Sequence, residues 1–240
     1  MADLYRTSLE PADIAAVQQL LGAEFTDTEI LRSALTHRSY LNEHREVTWA
    51  HNERLEFLGD AVLELVVTDF LYHKYPEKPE GELTAVRAAL VNTISLAAAA
   101  SVLGINDFLL MSKGEAKDSG RARQYILANA FEAIIGALYI DQGYEAARLF
   151  IDHQLFSKTE DIVSKRLWQD AKSRFQELSQ EHESVTPVYE TVSQTGPDHD
   201  RVFTVGVFLR KMKVAEGTGR SKQEAEQAAA EAAMIVKGWN

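Results

Sequence analysis

Four carboxylates are spaced along one stretch of the chain in a pattern that could hold a metal ion. They occupy positions i, i+3, i+7 and i+11 of the run that begins NERLEFLGDAVL: Glu53, Glu56, Asp60 and Glu64. On an α-helix these positions share an arc of about 80°. Most other side chains of the run are apolar, so we expect a largely buried helix over Glu53–Leu71. Stacked carboxylates on such a helix repel each other and lose hydration, and Mg²⁺ or Mn²⁺ would relieve both costs. A solvated acidic stripe on an amphipathic helix is the alternative.

A second apolar helix carries one further carboxylate. The run Tyr125–Ile140, YILANAFEAIIGALYI, contains Glu132 as its single charge, and Asn129 lies one turn earlier on the same face. A buried carboxylate needs a cation or a base as partner, and this run contains no Lys, Arg or His. The second helix is therefore predicted to supply the other half of a metal site.

Other segments of the chain must position the two carboxylate-bearing helices. We predict one helix over Leu83–Leu103, after the turn that contains Glu80 in the sequence YPEKPEG. We predict a basic loop over Met111–Arg123, which could meet phosphate or could be merely solvated. His37, in the segment LTHRSY, is expected to be structural rather than catalytic.

The pattern changes after about residue 170. An amphipathic helix is expected first, then three short strands with alternating apolar residues, then an Ala-rich helix with Ser221 as a plausible N-cap. Short connections make the strands antiparallel, which indicates a small α+β module. The predicted elements are Ala171–Glu183, Val188–Ser193, Val202–Leu209, Lys213–Glu216 and Gln223–Lys237.

The charge and the cysteine content of the chain exclude some classes of function. The chain has 240 residues, no Cys and a net charge of −11. Residues 1–169 carry 16 Lys and Arg against 25 Asp and Glu, and residues 170–240 carry 9 against 11. Neither half is a simple basic nucleic-acid binder, so binding must depend on local patches and on metal ions that bridge carboxylates to phosphates. The absence of Cys excludes disulfides and thiolate chemistry. We expect no signal peptide, no membrane span and a cytoplasmic location.

The NERLEFLGDAVL segment resembles the ribonuclease III signature almost letter for letter. The segment GTGRSKQEAEQAAAEAA and the order of elements around it resemble a double-stranded RNA-binding domain. The resemblance to bacterial ribonuclease III covers the whole chain. It implies an all-α catalytic domain over residues 1–165, a linker at 166–170 and an α-β-β-β-α double-stranded RNA-binding domain over 171–240.

The resemblance also assigns site residues. It places Asp60 and Glu132 at the catalytic positions, and four residues at metal-binding positions: Glu56, Asp60, Asn129 and Glu132. Glu53 and Glu80 match further acidic positions, whereas Glu64 matches no family ligand. Asn129 departs from the Asp that most members have, which should weaken metal affinity because Asn contributes no charge.

In the second domain, the resemblance assigns minor-groove contacts to Gln176 and Glu177 and a further one to His199. The start of the last helix should meet phosphates through Arg220, Ser221 and Lys222. Gln223 and Glu226 stand where lysines are common, so we expect weak binding that follows RNA shape and has little sequence specificity.

The function implied is a Mg²⁺-dependent hydrolase that cleaves double-stranded RNA, with Mn²⁺ as a substitute. It would process precursors of ribosomal RNA and other structured transcripts, and leave 5′-phosphate and 3′-hydroxyl ends. A homodimer formed through the nuclease domain would present two sites to opposite strands. The alternative is a double-stranded RNA-binding protein that retains the fold but does not cleave.

Overall fold

The computed structural model describes residues 5–164, 169–197 and 201–239. The chain divides into two compact units, Met1–Arg166 and Leu167–Asn240. Residues 165–168, where the predicted linker begins, lie outside the described part, so the predicted domain boundaries stay a prediction at the level of single residues. Among the described residues, no single helix is long and apolar enough to cross a membrane.

The first unit is helical. Its α-helices, in chain order, are α1 (Pro11–Leu21), α2 (Thr28–Ala34), α3 (Arg38–Glu43), α4 (Glu53–Lys74), α5 (Glu80–Val91), α6 (Thr93–Val102), α7 (Lys113–Lys117), α8 (Arg121–Gln142), α9 (Tyr144–Leu155) and α10 (Thr159–Ser164). Short 3₁₀ turns at Ile105–Phe108 and Phe156–Lys158 connect some of them. Helix α8 is central: its middle is buried almost all round, and it packs against α2, α4, α6 and α9.

Two glycines allow α4 and α8 to cross closely. A Cβ at Gly59 would collide with the backbone carbonyl of Glu132, and a Cβ at Gly136 would collide with that of Leu55. The two helices are thus in backbone contact at the level of the predicted acidic residues. Any larger side chain at either glycine would force the helices apart, because a packed interior leaves no room for added atoms.

The predicted single helix over Leu83–Leu103 is wrong: α5 and α6 are separate helices that meet at an angle of 43°. Asn92 lies between them with extended backbone, and its side-chain Oδ1 accepts a hydrogen bond from the Ser95 amide at 2.9 Å. Asn caps helices well because this hydrogen bond satisfies an amide that the first turn leaves free. Only as a bent pair do α5 and α6 reach the length and composition of a membrane span.

The predicted loop over Met111–Arg123 is also partly wrong. It contains α7, capped by Ser112, and its last residues begin α8. Arg123 is buried: its Nε donates to Asn106 Oδ1 at 2.8 Å, and one of its terminal nitrogens contacts the Met111 sulfur. Arg123 is therefore not available to meet phosphate, whereas Lys113, Lys117 and Arg121 are exposed.

The second unit has the predicted α-β-β-β-α order. Its elements are α11 (Ala171–Glu183), β1 (Val188–Thr195), β2 (Val202–Leu209), β3 (Met212–Gly219) and α12 (Lys222–Lys237). The sheet is antiparallel in the order β1-β2-β3, with Thr191 opposite Val205 and Val205 opposite Gly217. One face of the sheet packs on both helices around Phe175 and Val207, and Gly217 lets β3 approach the backbone of α12. Strand β2 has the predicted bounds, whereas β1 and β3 are longer than the sequence pattern predicts.

Candidate functional site

The crossing of α4 and α8 places Glu132 close enough to Asp60 and Glu56 for their charges to act on it. Burial, together with the charges of Asp60 and Glu56, raises the pKa of Glu132 from 4.5 to about 7. Burial also raises the pKa of Glu56, assisted by the charges of Glu53 and Asp60. Both pKa values are raised because these carboxylates repel one another and, among the described residues, lack a basic side chain that would neutralise them. Asp60 itself is exposed, so the cluster opens to solvent.

Asn129 lies beside the same cluster. Its side chain hydrogen-bonds to Glu56, which lowers the pKa of that carboxyl and opposes the effect of burial. The sequence predicts Asn129 as a metal-binding oxygen, and its position one turn before Glu132 brings it to the predicted face. The metal-binding role of Asn129 stays a prediction.

The donor chemistry of this cluster fits a hard divalent cation. Carboxylate and amide oxygens are the ligands that Mg²⁺ and Mn²⁺ prefer, and a cation would relieve the repulsion that raises the pKa of Glu132. In this conformation, no three His, Asp or Glu side chains among the described residues converge closely enough to surround an ion. The fit therefore depends on donor type and uncompensated charge, and the carboxylates would have to draw closer together around the ion.

The remaining predicted acids are placed differently. Glu53 is at the start of α4 and forms an ion pair with Arg38, at 3.0 Å between Oε1 and a terminal guanidinium nitrogen. Glu80 begins α5, accepts a hydrogen bond from Thr84 Oγ1 at 3.1 Å and lines a separate cavity of about 430 Å³. Glu64, which the family pattern omits, pairs with Arg87 at 2.8 Å. The accessory roles of Glu53 and Glu80 stay predictions.

In the second unit, the predicted RNA contacts that the structure describes are exposed, on α11 and at the start of α12. Gln176 and Glu177 line a surface groove along α11 together with neighbouring residues of the same helix. His199 lies outside the described residues. This face of α11 has two carboxylates, Glu177 and Glu181, which do not favour contact with phosphate.

Arg220, Ser221 and Lys222 are exposed at the start of α12. Ser221 Oγ accepts from the Glu224 amide at 3.1 Å, and the Glu224 carboxylate accepts from the Arg220 amide at 2.8 Å. These two hydrogen bonds already satisfy two backbone donors at the helix start. Phosphate contacts must therefore come mainly from the side chains of Arg220 and Lys222.

Sequence reasoning missed two features of the nuclease unit. The close approach at Gly59 and Gly136 was readable in principle, because each of the two apolar helices contains a single glycine in its middle. The pairing of Arg38 with Glu53 was not, because the two residues belong to different helices joined by an irregular segment.

Family models and curated relatives agree on both units. The model of the ribonuclease-III-like domain matches residues 27–159, and that of the double-stranded RNA binding motif matches residues 171–236. A protein named Ribonuclease 3 from Streptococcus pneumoniae (strain CGSP14) is 46% identical over 88% of this chain and 90% of its own length. Another of that name from Carboxydothermus hydrogenoformans is 43% identical over 94% of this chain and 96% of its own.

A solved structure resembles the first unit. The nuclease domain of ribonuclease III from Campylobacter jejuni shares 43% identity and aligns with a TM-score of 0.53, covering 59% of this chain and 97% of that domain. That structure is described as showing structural flexibility in a region involved in dimer formation of the nuclease domain. The expected fold, a helical nuclease domain followed by an α-β-β-β-α module, is confirmed.

Proposed function

The chain belongs to the ribonuclease III family and is an endoribonuclease, and from this premise we propose that it cleaves double-stranded RNA with Mg²⁺ held at the α4–α8 crossing. Mn²⁺ would serve as a substitute. We further propose that the products carry 5′-phosphate and 3′-hydroxyl ends. Precursors of ribosomal RNA and structured messenger RNAs would be the natural substrates, in the cytoplasm.

A single observation carries the metal proposal: Glu132 is half-buried, and its pKa is raised to about 7 with Asp60 and Glu56 as its charged neighbours. Desolvation and repulsion make such an arrangement unfavourable by about 1–2 kcal/mol after solvent screening, and a bound cation would relieve this cost. A carboxyl group with a strongly raised pKa is typical of active sites, where perturbed pKa values are common.

The proposed role of the protein side chains at this site is to hold the metal ion. Asp60 and Glu132 are proposed to hold the ion from the two crossing helices, and Glu56 and Asn129 to complete its ligands. An ion held by these residues would supply neutralisation of phosphate charge and activation of a water at neutral pH. The sequence shows no HExxH, GxSxG or P-loop motif and no Cys, and we propose that water is the attacking group.

The test is cleavage of a long duplex RNA with and without Mg²⁺, run beside Glu132→Gln. We expect wild-type cleavage only with the ion and none by the variant, while both bind the duplex. Cleavage in the presence of a chelator, or by the variant at the wild-type rate, would contradict the proposal. Binding by the wild type without cleavage under any divalent ion would instead favour the alternative of a non-cleaving RNA-binding protein.

We also propose that the nuclease unit forms a homodimer. Phe57 projects from α4 with 81% of its surface exposed, and Ile140 on α8 is 55% exposed. Both line a largely apolar cavity of about 620 Å³ that also includes Ile30, Leu55 and Leu58. An exposed aromatic ring beside an apolar cavity on the same face suits a two-fold contact, in which each copy fills the cavity of the other.

A dimer also answers a functional need, because one acidic cluster can serve one strand at a time and two facing clusters can serve both. The exposed Phe57 corrects our expectation that α4 is largely buried: in this unit alone, part of its apolar surface is uncovered. The relative from Campylobacter jejuni is described in terms of dimer formation by its nuclease domain, which supports the proposal for this chain.

A further inference from the structure

Arg38 is an exposed cation next to the acidic cluster. It is the first residue of α3, and 65% of its side chain is exposed. One terminal nitrogen lies 3.0 Å from Oε1 of Glu53, and among the described residues this is its one ion pair. A guanidinium has five N–H donors, so this single contact leaves most of them facing solvent.

Glu53 links Arg38 to the cluster. Its charge raises the pKa of Glu56, so it lies close to the carboxylates at the helix crossing. Its other oxygen, Oε2, lies 3.8 Å from Nδ1 of His51, and its backbone amide donates to the same nitrogen at 3.4 Å. Both carboxylate oxygens of Glu53 therefore face side chains other than those of the cluster.

This arrangement addresses a difficulty of the nuclease unit. Residues 1–169 have a net charge of −9, and RNA must approach the acidic cluster of this unit. A cation at the edge of the cluster would attract a backbone phosphate beside the one that is cleaved, where the metal does not neutralise charge. Arg suits this task better than Lys because its planar fork can bind Glu53 and a phosphate oxygen at once.

We propose that Arg38 contacts an RNA backbone phosphate next to the cleaved bond, and that Glu53 orients Arg38 rather than binding the metal. This inference rests on the proposed function for the location of the cleaved bond. It assigns Arg38 to substrate binding and makes Glu53 a positioning residue. The competing interpretations are a surface ion pair with no part in the reaction, and Glu53 as a ligand of the ion.

The experiment compares full-length Arg38→Ala, Arg38→Lys and Glu53→Gln with the wild type. Arg148→Ala is the matched control, because Arg148 also forms an exposed ion pair, with Glu145 at 2.9 Å on α9. Duplex RNA binding is measured in a chelator across a range of salt concentrations, so that no metal contributes. Steady-state cleavage and a Mg²⁺ titration follow on the same proteins.

We expect Arg38→Ala to weaken binding about five- to tenfold at low salt and to reduce the slope of log affinity against log salt by about 0.9, the value for one phosphate contact. KM should rise with little change in kcat. Arg38→Lys should recover the slope because it keeps the charge. Glu53→Gln should raise KM and leave the Mg²⁺ midpoint unchanged, and Arg148→Ala should resemble the wild type.

Two results would overturn the inference. The first is an unchanged salt slope and KM in Arg38→Ala, which would make the ion pair a surface contact only. The second is a higher Mg²⁺ midpoint in Glu53→Gln with normal KM, which would make Glu53 a ligand. Failure of the proposed function would look different: the wild type would cut no duplex with any divalent ion, while the metal-free binding comparison would still report on Arg38.

Discussion

Replacing Glu132 by Gln should stabilise the metal-free protein at alkaline pH while it abolishes cleavage. In the folded chain the pKa of Glu132 is about 7 against an ordinary 4.5. Below pH 4.5 the carboxyl is protonated in both the folded and the unfolded chain, so it contributes no penalty. Between pH 4.5 and 7 the unfolded chain loses this proton and the folded chain keeps it, so stability falls as the pH rises. Above pH 7 the full penalty applies.

The size of this penalty follows from the pKa difference. At 1.36 kcal/mol per unit, the raised pKa of Glu132 corresponds to roughly 3 kcal/mol. Because the side chain is only half-buried, solvent screening reduces this to about 1–2 kcal/mol. Gln is neutral at every pH and nearly the same shape, so Glu132→Gln should gain that amount at pH 8 and almost nothing at pH 4. In melting temperature, the gain is about 2–4 °C per kcal/mol.

The assay is thermal unfolding of both proteins in a chelator at several pH values, repeated at pH 8 with Mg²⁺. The control is Glu77→Gln, which removes an exposed carboxylate from the turn after α4. Mg²⁺ at one hundred times its Kd should stabilise the wild type by about 2.7 kcal/mol and so raise its melting temperature, but should not raise that of Glu132→Gln comparably. A variant that is no more stable than the wild type at pH 8, or that gains equally from Mg²⁺, would refute the reasoning.

Four further outcomes are expected. Asn129→Asp should lower the Mg²⁺ concentration for half-maximal cleavage, because a carboxylate adds charge to the site, and should slightly destabilise the metal-free protein; an unchanged Mg²⁺ midpoint would mean that position 129 does not face the ion. Deleting residues 170–240 should weaken duplex binding and make cleavage more salt-sensitive, but cleavage at low salt and high Mg²⁺ should persist; its loss would mean that the module is needed for the chemistry. Residues 1–169 should be dimeric by light scattering, and Phe57→Asp should make them monomeric; a monomeric wild-type fragment at micromolar concentration would contradict the dimer. Gly59→Ala should lower the free energy of unfolding by about 3 kcal/mol in chemical denaturation, because the added methyl would collide with the backbone of α8; a near-neutral change would contradict the close crossing.

The sequence predicted the existence and type of most long elements. Helices α4 and α8 stand out because they are long apolar runs that lack Pro, and α12 because of its Ala-rich composition and the Ser221 cap. The sequence-based prediction was wrong where a single polar residue interrupts an apolar helical pattern. The run that includes α5 and α6 is apolar enough for one helix, yet Asn92 ends the first and caps the second.

The sequence likewise predicted some features of the candidate site and not others. Spacing on one helix predicted that Glu56 and Asp60 share a face, because a regular helix fixes which side chains are neighbours. The absence of a base near Glu132 predicted that it needs a partner. The metal-binding assignments of these residues stay predictions, and so do the RNA contacts of Arg220, Ser221 and Lys222.

Only the tertiary structure decided which groups from different helices meet. The backbone contact at Gly59 and Gly136 sets Glu132 beside Asp60, and the fold turns Arg38 toward Glu53. It also left Phe57 uncovered, where the apolar pattern had predicted burial. A pattern along one helix reports how apolar each direction is, but which direction is covered depends on the packing of other elements, and no local periodicity contains that information.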